Sequence, residues 1–222
     1  MLKLTDSTPF SSGGNRLCYR HPHNPDRCLK VLRPDRTPAI RRNEKSFPAK
    51  LRPLEYFDEN LVEFKALNHL HTYYPDAIRK HLPETFGLIS TDKGLAHMTS
   101  LILDHDGLIS QTLEQYVWEH GLNSIAAQSI SKFKLSWQTC TPHTRDLIPH
   151  NFVLQHTDDT ARLVLIDGFG RKPSTVASLF RYFSKRRIYK RRILDLDQRI
   201  ERLLERKSNR NGPDERLNNL IR

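Results

Sequence analysis

Apolar positions fall into short strand-like runs early in the chain and into helix-spaced sets further on. Leu17-Cys18-Tyr19 and Cys28-Leu29-Lys30-Val31-Leu32 flank a polar turn from His21 to Pro25, and Gly13-Gly14-Asn15 marks a turn ahead of them. Two short apolar runs about a turn apart predict a β-hairpin. Residues 33–53 are rich in arginine and proline (Pro34, Pro38, Pro48, Pro53) and predict a loop. From about Glu55 to Tyr73, Leu61, Phe64, Leu67 and Leu70 recur at every third or fourth position, which predicts a helix with one buried face. Glu59 and Glu63, four residues apart, share a side of it.

Thr85 to Ile89 and His97 to Leu103 read as strands separated by the turn Asp92-Lys93-Gly94. Helices are expected around residues 110–120 and 123–140, then a short strand pair flanking Asp158-Asp159. From about Ser178 the tail is helical. Tyr182, Tyr189, Leu196 and Leu203 recur every seven residues with Ile193 and Ile200 between them, an apolar seam on a basic helix that Gly212-Pro213 ends.

Composition narrows the class. With 222 residues, 37% hydrophobic and 27% charged, the chain has the makeup of a soluble globular protein with a sizeable core. No run of about 18 apolar residues exists to span a bilayer, and the opening MLKLTDSTPFSSGG lacks the apolar stretch of a secretory signal. Cys18, Cys28 and Cys140 are too few and too scattered for a disulfide framework or a zinc site. The expected home is the cytoplasm, with Cys18 and Cys28 as reduced thiols on paired strands. The eleven histidines read as ordinary surface or core residues, and Trp118 and Trp137 as packing residues.

Charge is uneven. Residues 171–222 hold 16 basic and 6 acidic side chains, so nearly all of the formal +11 sits in the last quarter of the chain. Such a segment implies an anionic partner: phosphate, membrane surface or nucleic acid. Nucleic acid is the least favoured, because Tyr182 and Tyr189 are the tail's regularly spaced aromatics and the seam already accounts for both.

The stretch that carries chemistry is Arg145-Asp146-Leu147-Ile148-Pro149-His150-Asn151, which runs into a predicted strand; a second apolar strand then delivers Asp167-Gly168-Phe169-Gly170. Phosphoryl transfer needs such a set. Mg²⁺ prefers oxygen ligands and keeps several waters, so one carboxylate (Asp167) and one amide oxygen (Asn151) can hold it on nucleotide phosphates. A separate carboxylate (Asp146) can take the proton of an acceptor hydroxyl. An Asp-x4-Asn spacing arises by chance in roughly a third of chains this long, and fixing the interior Leu and Pro lowers that to well under ~1%. Asp104 and Asp106 follow a strand and are read as capping the next helix, with ribose binding as the other option.

Asp146-Leu-Ile-Pro-His-Asn151 resembles the catalytic loop of protein kinases, and Asp167-Gly-Phe-Gly resembles their metal-binding Asp-Phe-Gly. The whole chain resembles the small bacterial YrbL family (PhoP regulatory network protein). The shared features are Leu4, Gly13-Gly14, the run from Arg16 to Pro22, Arg27-Cys-Leu-Lys30-Val, Asn60-Leu-Val-Glu63-Phe-Lys65, His69-Leu70, Asp104-His-Asp106-Gly107, the catalytic loop and a basic C-terminus. That resemblance implies an α+β, protein-kinase-like two-lobed fold with a reduced C-terminal lobe: a mostly β lobe over 1–103, a helical lobe over 104–175, and a basic helical tail over 176–222. It also implies that Lys30 reaches the nucleotide phosphates, that Glu63 pairs with Lys30 (Glu59 being the competitor), and that Gly13 and Gly14 lie at the phosphates. ATP and Mg²⁺ are the implied cofactors.

Departures from the kinase pattern are specific. Thr144 stands where those kinases have a histidine, with His143 displaced by one position, Ile148 stands where Ser/Thr kinases have a lysine, and an extra glycine follows Asp167. Two readings follow. The first is an ATP-dependent phosphotransferase to a small hydroxyl acceptor such as a sugar or an envelope glycolipid precursor, with the basic tail touching anionic membrane or a phosphorylated glycolipid at its inner face. The alternative is a pseudokinase-like regulatory module without phosphotransfer.

Overall fold

Alternation along the first hairpin fixes the first sheet. Strands β1 (Ser11–Ser12), β2 (Arg16–His21), β3 (Asn24–Leu32), β4 (Thr85–Thr91) and β5 (Gly94–Ser100) form a five-stranded antiparallel sheet in the order β1-β2-β3-β5-β4. The computed structural model describes residues 1–158, 160–170 and 185–209. Successive β3 side chains point to opposite faces. Leu29 and Val31 join Leu4, Tyr19 and Ala96 in one apolar cluster. Cys28 and Lys30 face the other way, and both are buried as well.

Helix α1 (Pro38–Asn43) lies in the segment expected to be loop; Thr37 caps it and Pro38 starts it. Helix α2 covers Glu59–Tyr73 rather than beginning at Glu55, because Leu54–Tyr56 forms a separate tight turn. Its buried stripe also differs from the expected one. Leu67 and Leu70 are buried, but Leu61 and Phe64 are only half-buried, and Asn60 and Glu63 complete the stripe instead.

The polypeptide divides into two units, Met1–Asn68 with Glu84–Leu101, and His69–Pro83 with the described residues from Ile102 onward. The second unit holds α3 (Asp76–Arg79), α4 (Leu113–His120), α5 (Ser124–Cys140), the β-hairpin of β6 (Phe152–His156) and β7 (Ala161–Leu165), and α6 (Lys185–Ser208). Thr112 and Gln115 form a capping box at the start of α4, and Asn123 caps α5. Helix α5 buries Ala126, Ile130, Phe133 and Trp137 along one side. Phe133 stacks on Trp137 at 4.6 Å and meets Phe152 edge-on at 4.9 Å.

The fold is therefore α+β, as the resemblance implies. Asp104 does not cap a helix: its Oδ1 accepts from the Ser110 hydroxyl (2.6 Å) and the His156 N–H (2.7 Å), tying a turn to β6. Leu196, Ile200 and Leu203 of the tail seam are buried, and Tyr189 and Ile193 are half-buried. Asp159, Tyr182 and Gly212-Pro213 lie outside the described residues. No described helix is long and apolar enough to cross a membrane.

Candidate active site

In the first unit, Lys30 stands on β3 opposite Cys18 of β2 and His97 of β5. Asn60 sets α2 against these strands, its amide donating to the carbonyls of Lys30 and Leu95 at 2.9 Å each. Nearly one turn on, Glu63 meets Lys30. Its Oε1 accepts from Lys30 Nζ at 2.6 Å and its Oε2 from Arg16 Nη1 at 2.5 Å. The Lys30 and Glu63 side chains are 8% and 5% exposed. Glu59 is taken by Arg41 at 2.9 Å, which settles the competition in favour of Glu63.

Burial alone would raise the Glu63 carboxyl, but Arg16, Lys30 and His97 hold it well below its usual 4.5. Burial pushes His97 below 6.5 against the pull of Glu63, so the ring is neutral near pH 7. Its Nδ1 lies 3.3 Å from Glu63 Oε1 and its Nε2 lies 2.9 Å from the Thr85 hydroxyl. The Nδ1 approach does not meet hydrogen-bond geometry, so the ring's one side-chain hydrogen bond among the described residues is the contact between Nε2 and the Thr85 hydroxyl. Contact with Cys18, then burial, pushes the Cys28 thiol well up, and both cysteines are free thiols.

In the second unit, backbone bonds join two loops. The N–H groups of Arg145 and Asp146 both donate to the Gly168 carbonyl, at 2.6 and 3.2 Å. Ile166 N–H donates to the Asn151 carbonyl at 2.8 Å. The Asn151 side-chain amide donates to the Asp146 carbonyl at 3.2 Å, and Asp167 Oδ1 accepts from Gly168 N–H at 2.6 Å. Gly168 has a φ of +81°, and a Cβ there would collide with the Asp146 carbonyl oxygen and stand 2.7 Å from Asn151 Nδ2. The glycine that departs from the kinase triplet is thus the residue that lets the loops approach. Leu147 and Phe169, on these loops, are both buried.

The Asp146 side chain is 46% exposed; its Oδ2 accepts from Arg145 Nε at 2.8 Å, while Oδ1 accepts no hydrogen bond among the described residues. The hydroxyl of buried Thr144 accepts from Arg192 of α6 at 3.3 Å.

The residues singled out from sequence thus fall into groups. Lys30 and Glu63 meet in the first unit, and Asp146, Asn151 and Asp167 share one bonded loop pair in the second. Gly13 and Gly14 lie at the exposed β1–β2 turn. Neither has a positive φ, and a Cβ at Gly14 would meet nothing within 4 Å. Sequence reasoning missed Arg16, Asn60, His97 and the role of Gly168. Alternation offered one clue, since Arg16 lies two residues from Cys18, the register partner of Lys30.

These features describe an α+β protein with a buried lysine–glutamate pair and a paired Asp-x4-Asn and Asp-Gly-Phe-Gly loop. The family model for PhoP regulatory network protein YrbL matches residues 2–200, and the chain belongs to that family. It is 25% identical over 175 residues to the uncharacterized protein YrbL of Escherichia coli (strain K12), and equally to that of Shigella flexneri. The alignment covers 77% of this chain and 74% of each relative.

Proposed function

We propose that this protein is an ATP- and Mg²⁺-dependent phosphotransferase of kinase-like organisation that acts on a hydroxyl acceptor. The observation that carries the reading is the buried Lys30–Glu63 pair at 2.6 Å. A lysine held on a strand by a helix glutamate is the arrangement that presents an ammonium to nucleotide phosphates.

Asp167 and Asn151 supply hard oxygen donors that fit Mg²⁺. Asn151 spends its Nδ2 on the Asp146 carbonyl, which leaves Oδ1 as its donor atom. Among the described residues no group of three or more His, Cys, Asp or Glu gathers around a point. A metal held by Asp167 and Asn151 would take its other ligands from water and phosphate, and would neutralise phosphate charge. Asp146 would accept the proton of the acceptor hydroxyl as that oxygen bonds to the γ-phosphorus and the bond to the ADP oxygen breaks. Ile148 in place of a lysine favours a small alcohol over a protein side chain; a sugar or envelope glycolipid hydroxyl, phosphorylated in the cytoplasm, is the acceptor proposed.

Thermal unfolding with and without Mg-ATP tests the reading. Nucleotide at 100 times its dissociation constant stabilises by about 2.7 kcal/mol, a rise of roughly 5–10 °C for a chain this size. The rise should need Mg²⁺ and vanish in Asp167→Asn; in Asp146→Ala it should persist while phosphate transfer is lost. No rise at saturating nucleotide would sink the proposal. One observation favours a regulatory module without transfer: the Gly13-Gly14 turn has ordinary φ values, so its backbone is not glycine-dependent as a tight phosphate loop is. Detected transfer to any acceptor would end that reading.

A further inference from the structure

We infer that the start of α6, Lys185–Arg192, is a docking surface for an anionic lipid bilayer. This stretch holds six basic residues and no acidic one, whereas residues 193–208 hold four of each. The second half of the helix is balanced in charge and seated by its buried seam. Leu196, Ile200 and Leu203 are buried, α6 packs on α4 and α5, Asp197 pairs with Lys134 at 2.5 Å, and Asp195 pairs with Arg199 at 2.9 Å. The first half is not. Arg186, Arg187, Lys190 and Arg191 are exposed, and none has a hydrogen bond or ion pair among the described residues. Like charges one turn apart repel, and an anionic surface relieves that repulsion.

A polyanion of any kind would satisfy the cations; Leu194 selects the bilayer. It is 57% exposed, and it lies three residues from Arg191, four from Lys190 and seven from Arg187, so it shares their outward side. A leucine among cations gains nothing from a phosphodiester backbone. At a headgroup boundary it enters the acyl edge while the lysine and arginine stems lie along it and their heads reach phosphate. Within Lys185–Arg192 no aromatic ring is offered to bases, since Tyr189 is half-buried and donates its hydroxyl to the Lys134 carbonyl at 2.6 Å. The buried seam holds the helix in place, so the cations are arranged before contact. Arg192 closes the stretch and touches Thr144, two residues before Asp146. Docking here would bring that loop to the bilayer surface.

The test is co-sedimentation of the full chain, without nucleotide, with phosphatidylcholine vesicles that contain either no anionic lipid or about 30% phosphatidylglycerol, at about 0.1 M salt. Because no nucleotide is present, the outcome is independent of the phosphotransfer reading. Binding is expected with the anionic vesicles only. Arg187→Glu/Arg191→Glu should weaken it at least ~30-fold, and the matched reversal Lys65→Glu/Lys93→Glu, at exposed lysines of the first unit, by less than about threefold. Leu194→Ala, at unchanged charge, should weaken it about five- to tenfold. Equal binding of wild type and Arg187→Glu/Arg191→Glu would overturn the inference. So would equal binding to uncharged vesicles, an unaffected Leu194→Ala, or binding to single-stranded RNA with none to vesicles. Unchanged unfolding midpoints in all variants exclude loss of fold as the cause.

Discussion

The two units hold their polar groups by opposite means. In the first, Glu63 is buried and kept ionised by two cations and a histidine, so the arrangement stands on charge in a place of low dielectric. In the second, Asp146 and Asp167 ride on loops fixed by backbone hydrogen bonds to Gly168 and by the absence of a Cβ there. Charge is thus the weak point of one unit and volume that of the other.

The largest expected effect breaks the first arrangement. Glu63→Gln keeps the shape but leaves Arg16 and Lys30 buried without their carboxylate. Removing one partner of a buried pair costs about 3–5 kcal/mol, which for a chain this size lowers the midpoint by roughly 6–20 °C. Lys30→Met should cost less, because Glu63 keeps Arg16 at 2.5 Å. Similar losses from the two variants would mean that the carboxylate is not the centre of the cluster.

Acid should sharpen the same contrast. The Glu63 carboxyl is depressed in the folded state, so its contribution is complete above 4.5 and is lost as pH falls from there through the folded value. His97 is depressed below 6.5, so it too favours the folded state above that pH and withdraws stability as pH falls. Denaturant titrations should therefore show stability falling from about pH 6.5 downward. Glu63→Gln should remove the part of the loss that begins near 4.5. An acid limb identical in the variant would place its origin elsewhere.

The second arrangement should fail through volume. Gly168→Ala sets a side chain at a φ of +81° and drives a Cβ into the Asp146 carbonyl; the strain and the displaced loop together should cost about 3 kcal/mol. Gly13→Ala is the contrast: its Cβ would meet only the Arg16 carbonyl at 3.7 Å, and the midpoint should shift by less than about 2 °C. Equal effects from the two glycines would show that the loop pair has room to relax.

These residues also mark what the sequence could tell. The main strands and the longer helices were legible, because the patterns count apolar side chains; α1 lies where a loop was expected, and α3 was not foreseen. The buried side of α2 was not. Asn60 and Glu63 occupy it, and their partners, the Lys30 and Leu95 carbonyls and the Arg16 and Lys30 side chains, come from strands far away in sequence. Periodicity treats a polar residue as exposed unless its partner is known. Gly168 is a second case. The carbonyl it must avoid belongs to Asp146, and local spacing registers only an extra residue after Asp167.

The smallest effect tests whether side-chain contacts matter at all in the second unit. Thr144 is buried, and its hydroxyl accepts from Arg192 Nη1 at 3.3 Å, a long bond from a half-buried guanidinium. Thr144→Val keeps the volume and removes the acceptor, and Arg192 is not fully withdrawn from water, so the loss should be about 0.5–1 kcal/mol. That corresponds to a midpoint shift of roughly 1–4 °C, measured against the larger fall in Gly168→Ala. Adding Arg192→Ala to Thr144→Val should then cost less than the sum of the two single changes, because the shared bond is lost once. A loss in Thr144→Val as large as that in Gly168→Ala would erase the distinction between the units. The loop of residues 144–151 would then depend on the tail helix rather than on its own backbone.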